Sequence, residues 1–308
     1  MKRVLKTVIS MLFVLAFVCT VFSFAVSDRR NVYAVAEVPG ISEIPQMPEL
    51  SEIHVADPAQ AASPVEEVQV DKPVREEIGT EAPEVIDNGL AGSKIDNNKP
   101  MVALTFDDGP HPQYTDKILE ALKKYGGSGT FFVVGSRAEK YKSTVKKIFD
   151  SGNEIGNHSY SHKELTRVSG REMKAEIKKT GDLIAEITGV APILTRPTYG
   201  SVNKNVRLYA GMPLILWSID PLDWKTRDRD MIVHNVLSNI KDGDIVLLHD
   251  IYNSTADASE IIIRELTERG FQLVTVSQLC EARGVTPEVG KVYDKFTTNS
   301  IAENKKKE

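Results

Sequence analysis

The chain has 308 residues, of which 41% are hydrophobic and 26% are charged. This composition is ordinary for a globular protein and allows one large domain or two smaller ones. The formal net charge of −5 gives no reason to expect a nucleic-acid-binding surface, so we do not expect that class of partner.

The first 36 residues have the pattern of an export signal. Three basic residues precede a mostly apolar run over residues 8–26, which is typical of a signal peptide or of an N-terminal membrane anchor. A cleaved signal would end near the small-x-small motif at residues 34–36, whereas an anchor would keep its basic end in the cytoplasm. Both alternatives predict that residues 37–308 leave the cytoplasm, and the membrane is an expected partner only through such an anchor.

Residues 37–98 are predicted to form a disordered acidic linker. Residues 37–99 contain 14 acidic residues, 4 basic residues and seven prolines. Such a segment buries too little apolar surface to offset the entropy of ordering it. A small acidic domain is the alternative.

Residues 99–285 are predicted to form an α/β domain. Short apolar runs alternate with segments whose apolar residues recur at helical spacing, such as Ile118, Leu119 and Leu122. This alternation indicates a parallel sheet covered by helices, either a (β/α) barrel or an open doubly wound sheet. Residues 286–308, which end in a run of lysines, are predicted to be a flexible tail.

Polar residues follow several of the predicted strands. In parallel α/β folds the active site forms at the carboxyl ends of the strands. We therefore expect these residues to meet at one rim: Asp107, Asp108, His158, His162, Arg196, Asp220 and His249.

These residue types indicate metal-dependent hydrolysis. His158 and His162 are four residues apart, and imidazole is a good ligand for zinc and similar ions. One carboxylate of the Asp107-Asp108 pair can complete the ligand set while the other acts as a base. The alternative for the two histidines is an ordinary position in the core or at the surface without a metal. The alternative for the two aspartates is a solvated turn with helix-capping acids.

Five segments, in this order, resemble the motifs of the polysaccharide deacetylase family, also called NodB homology domains or carbohydrate esterase family 4. They read TFDDGP at 105–110, HSYSH at 158–162, RPTYG at 196–200, DPLDW at 220–224 and LLH at 247–249. The resemblance covers residues 99–282 and implies an irregular (β/α) barrel of the NodB type.

The resemblance also implies roles for individual residues. Asp107 is similar to the general base and His249 to the general acid, while Asp108, His158 and His162 are similar to the three metal ligands. The expected cofactor is one divalent ion, Zn²⁺, with Co²⁺ or another transition metal as the alternative.

Five further residues resemble supporting parts of the family's site. Arg196 is similar to the residue that orients the base, and Asp220 to the one that tunes the acid. The backbone amide of Tyr199 is expected to help hold the oxyanion. Trp224 and Leu247 are expected to line the pocket for the acetyl methyl group.

The implied activity is hydrolysis of N-acetyl groups by metal-activated water. Within the family the chain looks most similar to peptidoglycan N-acetylglucosamine deacetylases, so the expected substrate is an acetylated cell-wall polysaccharide, peptidoglycan, reached from the outer face of the membrane. The alternatives are removal of O-acetyl groups from xylan and deacetylation of chitin or another surface polysaccharide. A non-catalytic carbohydrate-binding wall protein is a third hypothesis.

Overall fold

The computed structural model describes residues 95–297. The predicted signal or anchor at 1–36, nearly all of the predicted linker at 37–98 and the end of the predicted tail lie outside the described residues. Within residues 95–297, no helix has both the length and the apolar character needed to cross a membrane.

Strands and helices alternate along the described chain, as predicted. The strands are β1 (Met101–Asp107), β2 (Thr130–Val133), β3 (Glu154–Asn157), β4 (Leu214–Ile215), β5 (Ile245–His249), β6 (Gln272–Leu273) and β7 (Val292–Tyr293). The helices are α1 (Tyr114–Tyr125), α2 (Gly135–Lys140), α3 (Lys142–Asp150), α4 (Gly170–Thr188), α5 (Lys204–Tyr209), α6 (Asp223–Thr226), α7 (Arg229–Leu237), α8 (Asn253–Glu268) and α9 (Val276–Ala282). Two 3₁₀ turns, Leu165–Arg167 and Thr198–Gly200, precede α5.

All strand pairs between the seven strands are parallel. The main sheet has the order β3-β2-β1-β5, and β6 pairs with the beginning of β1. Single bridges join Asn157 to Thr195, Thr195 to Leu214 and Ile219 to Val246, so that backbone pairing continues from β3 past β4 to β5. This connected set of short strands agrees with the predicted irregular (β/α) barrel and gives the domain one rim of strand carboxyl ends.

The core lies between the sheet and the helices around it. Every residue of β1 is buried, as expected for a central strand in a parallel sheet. The apolar stripe of α1 packs on this sheet through Ile118, Leu119 and Leu122, in one cluster with Ile262 of α8. The sheet and these helices thus form the packed core that carries the loops at the rim.

Local sequence signals set the helix ends. Ser169 caps α4 by accepting a hydrogen bond from the Glu172 N–H, and Thr275 forms a capping box with Gln278 at the start of α9. Gly126 and Gly189 end α1 and α4 in the left-handed conformation that glycine adopts without steric cost.

The structure corrects the predicted domain boundary at residue 285. Val292 and Tyr293 form β7, which pairs with Leu214 and Ile215 of β4. Phe296 is 1% exposed and stacks with Tyr293. The chain after 285 therefore covers the β4 side of the sheet, and the folded unit extends to these residues because they complete its apolar core.

Candidate active site

The Asp107-Asp108 pair lies at the carboxyl end of β1. The parallel register places Asp107 opposite Phe132 on β2 and opposite His249 on β5. The strand ends therefore bring the proposed base and the proposed acid to neighbouring positions, although 142 residues separate them in the chain. The rim predicted from the sequence thus exists.

Asp108, His158 and His162 form a cluster that can hold a metal ion. Their ligand atoms all lie within 4.8 Å of one another. Asp108 Oδ1 is 3.0 Å from His162 Nε2 and 3.5 Å from His158 Nε2. His158 is 2% exposed, whereas Asp108 and His162 are partly exposed and leave the cluster open on one side.

The donor set fits a divalent cation. Asp108 Oδ1 is shielded from solvent and has no hydrogen-bond donor among the described residues, so it is a buried acceptor that a cation would satisfy. His158 Nδ1 lies 2.7 Å from the carbonyl oxygen of Arg196, which can only accept. The proton is therefore on Nδ1, and the Nε2 lone pair faces the cluster as a ligand requires.

Mutual electrostatics reinforce this cluster. Burial alone would raise the pKa of Asp108, but the electrostatic influence of the nearby His158 and His162 imidazoles outweighs burial and holds that pKa far below its usual value. Burial would lower the pKa of His158, yet the carboxylates of Asp107 and Asp108 raise it. The two carboxylates thus provide the negative potential that a cation requires.

Arg196 fixes the orientation of Asp107. The guanidinium is completely buried, and its Nη1 donates to Asp107 Oδ1 and to Thr105 Oγ1, at 2.7 Å each. Its Nε and Nη2 donate to the carbonyl oxygens of Ile215 and Leu216. Because Oδ1 of Asp107 is held in this way, Oδ2 is the oxygen on the side of the histidines, 3.7 Å from His158 Nε2.

The structure corrects the predicted partner of the acid from Asp220 to Asp223. Asp223 Oδ1 lies 2.8 Å from His249 Nδ1, and Asp223 Oδ2 accepts hydrogen bonds from the His249 N–H and from Thr255 Oγ1. Asp220 instead accepts a hydrogen bond from the Leu222 N–H and caps the turn before α6. The prediction for Asp220 was wrong because α6 begins at Asp223 and turns that carboxylate, completely buried, toward β5.

The Asp223 carboxylate keeps His249 charged. Burial opposes the charged imidazole, but the hydrogen bond and charge of Asp223 outweigh it and raise the pKa of His249 to about 9. An imidazole with this pKa is protonated at neutral pH, as a general acid must be.

The three residues predicted to contact substrate occupy different environments. The ring of Tyr199 is 65% exposed and its edge meets His162, with 4.9 Å between ring centroids. Trp224 is 46% exposed and directly follows Asp223, whereas Leu247 is buried in β5 opposite Thr105. Tyr199 therefore lies beside the metal cluster. Trp224 is the sequence neighbour of Asp223, and its backbone N–H donates to Asp223 Oδ1. The contacts of Tyr199, Trp224 and Leu247 with substrate stay predictions.

Two supporting residues were not predicted from the sequence. Glu176 of α4 accepts hydrogen bonds from the N–H groups of Tyr160 and Ser161 and from the Ser161 hydroxyl, and so clamps the turn between the two histidines. Asp250 is 1% exposed, accepts a hydrogen bond from Thr115, and lies so close to Gly109 that a Cβ there would collide with its carboxyl group. Burial raises the pKa of Asp250 to about 7.

Strained backbone is concentrated around this site. In the described part of the chain, six residues other than glycine have φ between 52° and 71°. They are Asp108, Ser159, His162, Tyr199, Leu222 and Arg227. Four belong to the metal cluster and its rim, and the other two flank α6, which carries Asp223.

Comparison with known proteins identifies the family. The family model for "Polysaccharide deacetylase" matches residues 94–212. The chain is 49% identical over 189 residues to the peptidoglycan-N-acetylmuramic acid deacetylase PdaC of Bacillus subtilis, covering 61% of this chain and 40% of PdaC. It is 38% identical over 200 residues to the peptidoglycan-N-acetylglucosamine deacetylase PgdA of Listeria monocytogenes, covering 65% of this chain and 42% of PgdA. The match thus spans about two fifths of each of these relatives.

Solved structures agree with the fold described above. The structure of PdaC from Bacillus subtilis superposes with a TM-score of 0.61 at 48% identity, covering 62% of this chain and 94% of that one. A family 4 acetyl xylan esterase from Clostridium thermocellum, solved with a cobalt ion, superposes with a TM-score of 0.60 at 31% identity. This match covers 63% of this chain and 98% of the esterase chain. With the motifs, the parallel fold and the Asp-His-His cluster in place, the chain belongs to the polysaccharide deacetylase family.

Proposed function

We propose that the protein is an exported, metal-dependent deacetylase that hydrolyses the acetamido groups of peptidoglycan amino sugars. The observation that carries the proposal is a site with two sides. The Asp107 carboxylate, oriented by Arg196, lies beside the residues that can hold a cation, and the charged imidazole of His249 lies opposite it on the adjacent strand. Amide hydrolysis requires a base for the attacking water and an acid for the departing nitrogen. Asp107 and His249 supply these two groups.

The cation is proposed to be Zn²⁺, held by Asp108, His158 and His162. When bound, such an ion lowers the pKa of water toward ~7 and polarises a carbonyl oxygen. Two imidazoles and one carboxylate leave coordination positions free, as in catalytic rather than structural zinc sites. The cobalt ion in the related xylan esterase supports a transition metal of this kind.

Asp107 is proposed to accept the proton of the attacking water. Its Oδ1 is occupied by Arg196, so Oδ2, on the side of the cluster, remains to take the proton. The buried guanidinium fixes the position of the Asp107 carboxylate and offsets its negative charge.

His249 is proposed to protonate the departing amine. Nδ1 is engaged by Asp223, which leaves Nε2 to donate to the sugar nitrogen. The side chain is 12% exposed, so it is open to substrate while most of the ring is shielded from water. The backbone amide of Tyr199 is proposed to hold the oxyanion, and Trp224 and Leu247 to receive the acetyl methyl group.

The expected amino sugar is N-acetylglucosamine. Because the relative with 49% identity is named for N-acetylmuramic acid and another for N-acetylglucosamine, the test must separate the two sugars. Purified full-length protein loaded with Zn²⁺ should release acetate from peptidoglycan, and mass spectrometry of the digested product should locate each new free amine. Acetylated xylan and chitin oligosaccharides test the alternative substrates, and stronger release from xylan than from peptidoglycan would contradict the proposal.

Two variants test the assigned roles. Asp107→Asn should retain the metal but lose turnover, because it removes only the base. His162→Ala should lose both, because it removes a ligand. Metal content by mass spectrometry and acetate release, measured on the same samples, separate the two effects. Full activity in Asp107→Asn would exclude Asp107 as the base, and the same variant also tests the hypothesis of a non-catalytic wall protein.

A further inference from the structure

A shallow groove of about 680 Å³ lies beside the acid side of the site. It is formed by the segment between α6 and α7 and by the start of α8, and its lining includes Tyr114, Arg227, Arg229 and Tyr252. None of these residues has a role in the hydrolysis described above. The contacts of Arg227 indicate which chemical group this groove can bind.

The guanidinium of Arg227 is stacked but not neutralised. Its Cζ lies 3.5 Å from the centroid of the Tyr252 ring, and its Nε donates to the carbonyl oxygen of Trp224 at 2.8 Å. Within residues 95–297, Arg227 forms no ion pair, and its two terminal nitrogens have no hydrogen-bond acceptor. A guanidinium that lies over an aromatic ring with both terminal nitrogens unpaired offers two N–H donors, which a carboxylate can bind with two hydrogen bonds.

The other charges of the groove already have partners. Arg229 pairs with Asp230, and Asp257 pairs with Lys117 of α1. Asp228 caps α7 by accepting a hydrogen bond from the Met231 N–H. Arg227 is therefore the groove cation that has no acidic partner among residues 95–297.

The groove adjoins the reacting group. The centroids of the Tyr252 and His249 rings are 6.2 Å apart, and the Arg227 guanidinium lies over the same Tyr252 ring. Tyr252 is therefore a shared neighbour of the arginine and the proposed acid. The backbone N–H of Arg227 donates to the carbonyl oxygen of Asp223, which ties the arginine to the helix that carries the partner of His249. A group bound by Arg227 would thus be a substituent close to the acetamido group under attack.

We propose that Arg227, supported by Tyr252, binds a carboxylate of the substrate strand and so favours peptidoglycan over neutral acetylated glycans. This inference rests on the proposed function. The muramic acid units of peptidoglycan carry a lactyl carboxyl group, which is free or joined to a peptide with its own carboxylates, whereas chitin carries none. A charge-assisted, two-point hydrogen bond is the interaction that distinguishes these polymers.

The test compares three substrates with full-length, Zn²⁺-loaded protein: chitin oligosaccharides, glycan strands freed of peptide, and strands that keep their peptides. Arg227→Gln should raise KM about tenfold or more on strands that carry the recognised carboxylate, with little change in kcat. Chitin oligosaccharides should be hydrolysed as by the wild type. Arg227→Lys, which keeps the charge without the planar fork, should recover part of the loss.

Matched controls separate recognition from folding. Arg229→Gln removes a neighbouring arginine that is already paired, so its KM values should equal those of the wild type. A KM increase confined to peptide-free strands identifies the lactyl carboxylate, one confined to peptide-bearing strands identifies a peptide carboxylate, and both support the inference.

Two results would overturn it. Arg227→Gln could leave every KM unchanged, or it could weaken activity on all three substrates equally, which would mean that Arg227 only supports α6. Wild-type protein that acts on chitin oligosaccharides but on neither peptidoglycan substrate would contradict the proposed function as well. That failure is visible before any variant is made.

Discussion

Replacing Asp223 with asparagine tests how the acid is kept charged. Asp223 Oδ1 is 2.8 Å from His249 Nδ1, and the carboxylate is completely buried. Burial of the imidazole disfavours its charge, but the hydrogen bond and charge of Asp223, together with the charges of Asp107 and Asp108, raise the pKa of His249 from 6.5 to about 9. A difference of this size corresponds to roughly 3 kcal/mol in favour of the charged imidazole.

The effect on rate depends on pH. Because the pKa of His249 is raised, the acid is charged at low pH and is lost as the pH rises through about 9. With the Asp223 carboxylate gone, burial should lower that pKa, and only the charges of Asp107 and Asp108 would still oppose the decrease. If the pKa returns to the ordinary value of 6.5, the protonated fraction at pH 8 falls from ~90% to ~3%, so turnover of an amide should drop by up to roughly 30-fold, and by less at pH 6.

Initial rates of acetate release between pH 5 and pH 10 measure this shift. Asp220→Asn is the control, since Asp220 caps a turn and does not contact His249. Circular dichroism and metal content establish that Asp223→Asn is folded and loaded. The reasoning fails if the alkaline limb of the profile stays near pH 9 in Asp223→Asn, or if Asp220→Asn is the variant that moves it.

Three further predictions concern the surroundings of the site. Glu176→Gln should weaken Zn²⁺ affinity about tenfold in a chelator competition, because the side chain that holds the turn between the two histidines loses its charge. Glu172→Gln on the same helix should leave the Zn²⁺ affinity unchanged. Gly109→Ala should lower the free energy of unfolding by about 1–3 kcal/mol in urea titrations, since a Cβ there meets a buried carboxyl group; Gly181→Ala, with only distant neighbours, should not be destabilising. His249→Ala should reduce hydrolysis of amides more than that of acetate esters, because an amine needs a proton to leave; equal losses would argue against the acid role.

The strand ends of the site were predictable because their signal is local. A buried apolar run followed by a polar residue predicts both the strand and the position of its end, and parallel strands share one edge. Asp107 and His249 therefore lie close together as expected, and the register of β1 with β5 places them opposite each other. The Asp-His-His cluster followed from the same logic together with the spacing of its histidines.

The partner of the acid was not predictable in this way. Asp220 and Asp223 both follow the β4 segment, and nothing in the local pattern distinguishes a carboxylate that caps a turn from one that begins a helix. The choice depends on tertiary contacts with His249 and Thr255, which lie on β5 and α8. Glu176 was missed for the same reason, since on an amphipathic helix it looks like an ordinary exposed acid.

The fold beyond residue 285 was missed because its signal is short. β7 has only two residues, and it is stabilised by pairing with β4 and by the stacking of Tyr293 on Phe296. A two-residue strand has no periodicity that sequence analysis can detect.

The left-handed residues around the pocket have a consequence for engineering the enzyme. Each costs about 1–3 kcal/mol of folding free energy, which the buried sheet and its helices must offset. A more heat-resistant version should be sought in the outer helices, where the backbone is relaxed. Easing the bends at Asp108, His162 or Tyr199 would gain stability at the expense of the alignment that turnover requires.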